Sequence, residues 1–268
     1  MPYILFLAIL SAFPALAEGP PKSAKIQTLL ITGQNRHDWR AVSPVLRQML
    51  EDTGRFEVRI IEEFRGATEE TLLPYDLVVL NYENKRLPEL RWGDTAEKAL
   101  VNHVKRGKGL VIYHFSLAGF EGWTEFEKLS GGNWRPGMGH HSARHDFSLT
   151  LRDSEHPITK GMKLTIPIVN DELYANLQWQ PKENYRVLAT AWDDHALYNG
   201  KAKQPTPGAG LDQPMLWVSE PGGRVFVTAL GHDLASVKQA GFEATFVRGA
   251  EWAATGAVTL PLPAELRR

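Results

Sequence analysis

Three histidines in this chain follow apolar runs: His37 a few residues after Lys25 to Thr32, His114 directly after Leu110 to Tyr113, and His232 just after Val225 to Leu230. An imidazole titrates near neutrality, so it can carry a proton or, when neutral, bind a divalent cation. His114 sits where an α/β fold displays a reactive group, although a histidine beside an apolar run also serves as a core residue. Ser116 lacks the flanking glycines of a nucleophile elbow, which argues against a serine hydrolase. Asp171 and Glu172 form an acidic pair inside Asn170-Asp171-Glu172-Leu173-Tyr174. One carboxylate there suits a base or ligand and the other an orienting partner, while a solvated turn explains the pair equally well. His140, His141 and His145 crowd a glycine-rich stretch without an H-E-x-x-H pattern. Two imidazoles and a carboxylate would suit zinc or a similar ion.

The densest polar cluster is Gln34-Asn35-Arg36-His37-Asp38-Trp39. Asp38 is placed to cap a helix, whose first N–H groups favour a polar or anionic ligand. Trp39, Trp123 and Trp134 flank polar segments. An aromatic face beside Asn, Asp, Glu and His suits a sugar, whose C–H groups pack on the ring while its hydroxyls bond the polar groups. Trp217 and Trp252 read as core fillers.

These groups need a scaffold, and the hydropathy pattern supplies one. Buried strands are predicted over Lys25 to Thr32, Phe56 to Ile61, Tyr75 to Leu80 and Gly109 to His114. Val42, Val45, Leu46, Met49 and Leu50 recur at helical spacing up to Gly54, and Thr95 to Lys105 reads as a helix closed by Gly107. Alternating strands and helices predict an α/β, doubly wound, mostly parallel sheet. Its ligand crevice would lie beyond the strands' carboxyl ends. The second half differs. Residues 131–146 read as a long loop, a candidate lid. Phe147 to Leu151 and Tyr185 to Ala191 are strand-like, Pro214 to Ser219 and Arg224 to Leu230 flank a hairpin turn, and Leu234 to Ala253 reads as a closing helix broken around Gly241 or Gly249.

Composition narrows the function. Thirty basic against 31 acidic residues give no electrostatic case for nucleic acid or an anionic membrane. The absence of cysteine removes disulfides, thiolate metal sites and cysteine nucleophiles. Residues 3–17 are uncharged and end in Ala15-Leu16-Ala17, as a cleaved secretory signal peptide does. The expected organisation is a leader over 1–17, a lead-in over 18–25 and one domain over 26–268, in a periplasmic or secreted protein with no membrane attachment after cleavage.

The ordered segments TGQNRHDW (32–39), GKGLVIYHFS (107–116), GGNWRPGMG (131–139), HPITKG (156–161), NDELY (170–174), PMLW (214–217), GRVFVTALGHD (223–233) and RGAEWAATG (248–256) resemble the ThuA-like, or trehalose-utilisation, family. The resemblance implies a flavodoxin-like fold of the class I glutamine amidotransferase type. It also implies that His114 replaces the amidotransferase cysteine and that the segment around His232 corresponds to their catalytic histidine. Without cysteine, glutamine hydrolysis through a thioester is not available. The family's association with disaccharides and their 3-keto forms points to a carbohydrate ligand. On this reading His114, His232 and Glu172 are the catalytic candidates. Asn35, His37, Asp38, Trp39, Trp134 and His145 would bind substrate, and His37, His114 and His232 are candidate ligands for a divalent metal such as zinc. A hydrolase, lyase or isomerase is compatible with these groups, as is a non-catalytic sugar-binding module. A homo-oligomer is compatible too.

Overall fold

The computed structural model describes residues 24–198, 208 and 210–268, so the expected leader lies outside the described residues. Continuous apolar runs place four strands where both faces are covered: β1 (Ile26–Ile31), β2 (Phe56–Ile61), β3 (Leu77–Leu80) and β4 (Gly109–Tyr113). Five more follow: β5 (His145–Leu151), β6 (Thr165–Asp171), β7 (Arg186–Asp193), β8 (Leu211–Ser219) and β9 (Arg224–Thr228). Together they form one nine-stranded sheet in the order β2-β1-β3-β4-β9-β8-β7-β5-β6.

The sheet changes character at β9. From β2 to β9 all neighbours are parallel, in the order of a flavodoxin-like sheet. From β9 outward every neighbouring pair is antiparallel. The α/β doubly wound fold with hairpin additions is therefore present, with the additions forming four strands of the sheet. Helix α1 (Trp39–Asp52) buries Val42, Leu46, Met49 and Leu50, and α2 (Asp94–Lys105) buries Ala96, Leu100 and Val104. A short helix, α3 (Thr124–Ser130), precedes the glycine-rich segment.

Two features depart from the sequence reading. Strand β6 gave no pattern strong enough to mark it. It carries Pro167 and forms the sheet's edge, where a missing N–H costs no ladder bond. The closing helix is interrupted at Lys238-Gln239 rather than at a glycine, and α4 (Ala240–Thr255) runs unbroken through Gly241 and Gly249. Both glycines are there for contact: a Cβ at Gly249 would stand 2.2 Å from the Phe226 ring, and one at Gly241 2.8 Å from Ile166. These positions let α4 lie directly on the sheet.

Candidate functional site

Loops at the carboxyl ends of β1, β4 and β9 bring three imidazoles together. The His37 ring centroid lies 4.8 Å from that of His114 and 4.4 Å from that of His232. The carboxylate of Glu172 joins them from the end of β6. One ligating atom from each of His37, His114, Glu172 and His232 lies within 4.8 Å of the other three.

Each side chain is aimed by local structure. His37 hangs from a turn in which its own N–H donates to Asn35 Oδ1 at 3.0 Å, while Asn35 Nδ2 donates to Asn81 Oδ1 at 2.9 Å. Gly33 makes this turn possible, with φ +106° and no space for a Cβ against the Glu62 carbonyl. His114 leaves β4 with φ +45°, in the left-handed region that non-glycine residues rarely occupy. That conformation turns the ring so that Nδ1–H donates to the Ala229 carbonyl at 2.7 Å and Nε2 faces the Tyr174 hydroxyl at 3.1 Å. His232 is held through its backbone. The buried Asp171 carboxylate accepts from the N–H groups of Gly231 at 2.7 Å, His232 at 3.0 Å and Glu172 at 2.8 Å. Gly231, at φ +100°, lies so close to Tyr113 and Phe242 that no Cβ fits. The acidic pair thus divides its work: Asp171 orients and Glu172 reaches into the site.

The electrostatics follow from burial and neighbours. Burial pushes His37 and His114 down to about 3, reinforced at His37 by the nearby His114 and His232. Both rings are neutral at physiological pH, the state in which imidazole binds metal. His232 is shifted the other way, chiefly by its contact with Glu172, whose Oε2 lies 3.0 Å from Nδ1. Glu172 Oε1 lies 3.1 Å from His141 Nδ1. Burial raises the Tyr174 hydroxyl well above its ordinary range, so it stays protonated as a donor.

The donor set fits a divalent metal. His37 Nε2 is buried and has no hydrogen-bond partner among the described residues, so a ligand is needed to satisfy it. His114 has its Nδ1–H tied to a backbone carbonyl, the outer-sphere bond that aims Nε2 into the site, where it meets the Tyr174 hydroxyl. Three nitrogens and one carboxylate oxygen match a zinc-type site.

Not every residue singled out in the sequence reaches this centre. Trp134 does stand on its wall, 5.3 Å from the Tyr174 ring and 5.8 Å from Phe115. Asn35 acts one bond away, through the backbone of His37. Asp38 does not reach the cluster: it is exposed and caps α1, accepting from Ala41 N–H at 3.1 Å. Trp39 is buried beneath the Arg40 guanidinium and lines a separate cavity of about 370 Å³ with Ser43, Pro44 and Glu62. His145 packs on Phe147 and bonds Ser142 Oγ at 3.1 Å, behind the site rather than in it.

Of the three loop histidines, the one at Glu172 is His141. The two-residue strand His140–His141 pairs with Tyr174–Ala175, and this pairing turns His141 toward Glu172 and His140 toward Asp193. Residues 131–146 are accordingly anchored more firmly than a free loop: Arg135 is buried, bonding Glu127 Oε1 at 2.6 Å and the carbonyls of Leu117 and Gly119. Tyr174 is the second site residue the sequence analysis did not single out for a role.

Comparisons with known proteins agree with this architecture. A solved ThuA-like protein from Parabacteroides merdae superimposes with a TM-score of 0.76 at 32% identity, covering 91% of this chain and 95% of that one. A ThuA-like protein from Bacteroides uniformis gives a TM-score of 0.67 at 16% identity over 91% of this chain and 97% of that one. A cytoplasmic protein from Salmonella typhimurium shares the fold at a TM-score of 0.56 and 13% identity, over 85% of this chain and 99% of that one. No curated protein matches the sequence. The family model described as ThuA, trehalose utilisation, matches residues 27–253. With that match over residues 27–253 and a relative of 32% identity over 91% of its length, the chain belongs to the ThuA family.

Proposed function

We propose that this protein acts on a carbohydrate, of the disaccharide or 3-keto-sugar class, at a divalent metal centre formed by His37, His114, Glu172 and His232. The observation that carries this reading is the convergence of three imidazoles and a carboxylate within 4.8 Å, with His37 Nε2 buried and without a hydrogen-bond partner among the described residues. A divalent ion bound there would polarise a sugar carbonyl or hydroxyl.

The chain's own groups handle protons and position. Glu172 is shared between His232 and His141, so a proton taken by its carboxylate from a carbon next to a sugar carbonyl can be passed to either ring. The Tyr174 hydroxyl, kept protonated by burial, meets His114 Nε2 here and would turn to a substrate oxygen when that nitrogen holds a metal. Trp134 and Phe115 supply the aromatic side of the site. Glutamine hydrolysis through a cysteine thioester is not available to this sequence. The leader-like residues 3–17 support action in the periplasm or outside the cell, which fractionation and N-terminal sequencing of the mature protein would test.

The deciding experiment combines metal analysis of the purified protein with turnover of disaccharides and their 3-keto derivatives by wild type and His114→Ala. The proposal expects about one divalent ion per chain and turnover that falls by 10²-fold or more in the variant. Saturable sugar binding without turnover in the wild type would identify a binding module instead. Absence of both metal and sugar binding would defeat the proposal.

A further inference from the structure

We infer that the mouth of this site carries an anion subsite centred on Lys85, so that the sugar it accepts is an acidic one, bearing a carboxylate or phosphate. The inference rests on the carbohydrate reading above and sharpens its substrate class.

The Lys85 ammonium lies 4.5 Å from the centroid of Trp134 and 5.7 Å from that of Phe115. Both rings belong to the wall of the histidine cluster. Phe115 packs on His37 with centroids 4.9 Å apart, and Trp134 packs on Tyr174, whose hydroxyl meets His114 Nε2. A cation over these rings is held by their π faces while its N–H donors remain free to turn to a ligand. One face of Trp134 is therefore taken by Lys85, and a sugar meets a cation there rather than a bare ring.

No direct ion pair among the described residues answers that charge. Among the described residues no carboxylate lies within ion-pair distance of Lys85 Nζ. The acid nearest in sequence, Glu83, spends one oxygen on the backbone N–H of Lys85 at 2.6 Å, and its other oxygen is 3.9 Å from Arg36 Nε. Burial raises Glu83 above the ordinary carboxylate range, which weakens it further as a counter-charge. Partial burial depresses Lys85 first and the nearby Arg36 and Arg86 next, against a weaker opposing pull from Glu83 and Glu121. Three cations thus collect on adjoining loops of a chain whose net charge is −1. The loops adjoin because Glu83 N–H donates to the Gln34 carbonyl at 3.0 Å. An arriving carboxylate or phosphate would relieve the repulsion and complete the hydrogen bonding of the ammonium.

Equilibrium binding of glucuronate, glucose 6-phosphate and glucose to the full chain tests this, with Lys85→Met and Lys85→Arg beside the wild type. The expected result is that at least one acidic sugar binds the wild type tenfold or more tighter than glucose. The preference falls to near one in Lys85→Met and is partly restored in Lys85→Arg. Whichever acid shows the preference identifies the carboxylate or the phosphate as the recognised group. Equal affinity for glucose and both acids in the wild type, or an anion preference that survives in Lys85→Met, overturns the subsite and leaves the carbohydrate reading standing. Binding of none of the three also overturns the subsite, while the carbohydrate reading falls only if disaccharides and their 3-keto derivatives fail to bind as well.

Discussion

The parallel and antiparallel halves of the sheet contribute differently to the site. The parallel half supplies the imidazoles: His37, His114 and His232 all follow its strands. The antiparallel half and its loops supply the acid and the hydroxyl, through Glu172 after β6, Tyr174, and His141 on the short strand paired with it. Neither half alone contains the cluster. The seam between them is stitched by Asp171, which accepts three backbone N–H bonds, two of them across it. A flavodoxin-like scaffold thus acquires a mixed nitrogen and oxygen donor set by having its sheet extended.

The comparison breaks most sharply at Glu172. Glu172→Gln keeps the shape but removes the charge that meets His232 and His141, so kcat/KM should fall by about 10³-fold with the melting temperature little changed. An effect confined to KM would place Glu172 in binding rather than in proton transfer.

Acid should weaken both halves in parallel. His103 is buried in α2 of the parallel half, and His156, in the connection between β5 and β6, is buried against Trp252. Burial lowers each to about 4, against about 6.5 in the unfolded chain. Between these values the unfolded chain binds more protons. Stability is therefore complete above about pH 6.5 and is lost as pH falls toward 4, by up to about 3 kcal/mol for a fully buried ring. Urea unfolding at pH 7, 5.5 and 4.5 checks this, and His103→Leu should flatten part of the slope. A slope unchanged by that variant would assign the acid sensitivity elsewhere.

Asp171→Asn probes the stitch itself. Its carboxylate bonds should weaken by about 2 kcal/mol in total stability, with kcat reduced through a displaced His232. Binding of a sugar that tolerates the loss while kcat drops would mark Asp171 as a positioning residue.

A smaller effect is expected inside the parallel half. Gly249→Ala would press a methyl into Phe226, which overpacking makes unfavourable by about 1–3 kcal/mol, offset by about 1 kcal/mol of helix propensity. A denaturation midpoint higher than wild type would show that α4 moves off the sheet easily.

The same contrast explains what the sequence disclosed. The parallel half was readable because buried strands are continuous apolar runs and their carboxyl ends are marked by His37, His114 and His232. Glu172 was readable as half of an acidic pair, although only the fold shows that Asp171 faces the Gly231 and His232 backbone while Glu172 faces the imidazoles. The antiparallel half hid more. Strand β6 contains Pro167 and lies at an edge, so its signal was weak. Choosing His141 over its neighbours His140 and His145 depends on a two-residue pairing with Tyr174–Ala175 that no periodicity announces. Asp38 and Trp39 lie outside the cluster, Asp38 as the cap of α1 and Trp39 buried at its start beside a cavity of its own, a placement that residue type alone does not disclose.

The most direct test of the seam as a working centre is a titration of metal-stripped protein with zinc, comparing wild type with Glu172→Gln. The account predicts one ion per chain in the wild type and affinity weakened by tenfold or more in the variant, because His37, His114 and His232 come from one half and the carboxylate from the other. Stoichiometric binding of equal strength in both proteins, or none in the wild type, would contradict it.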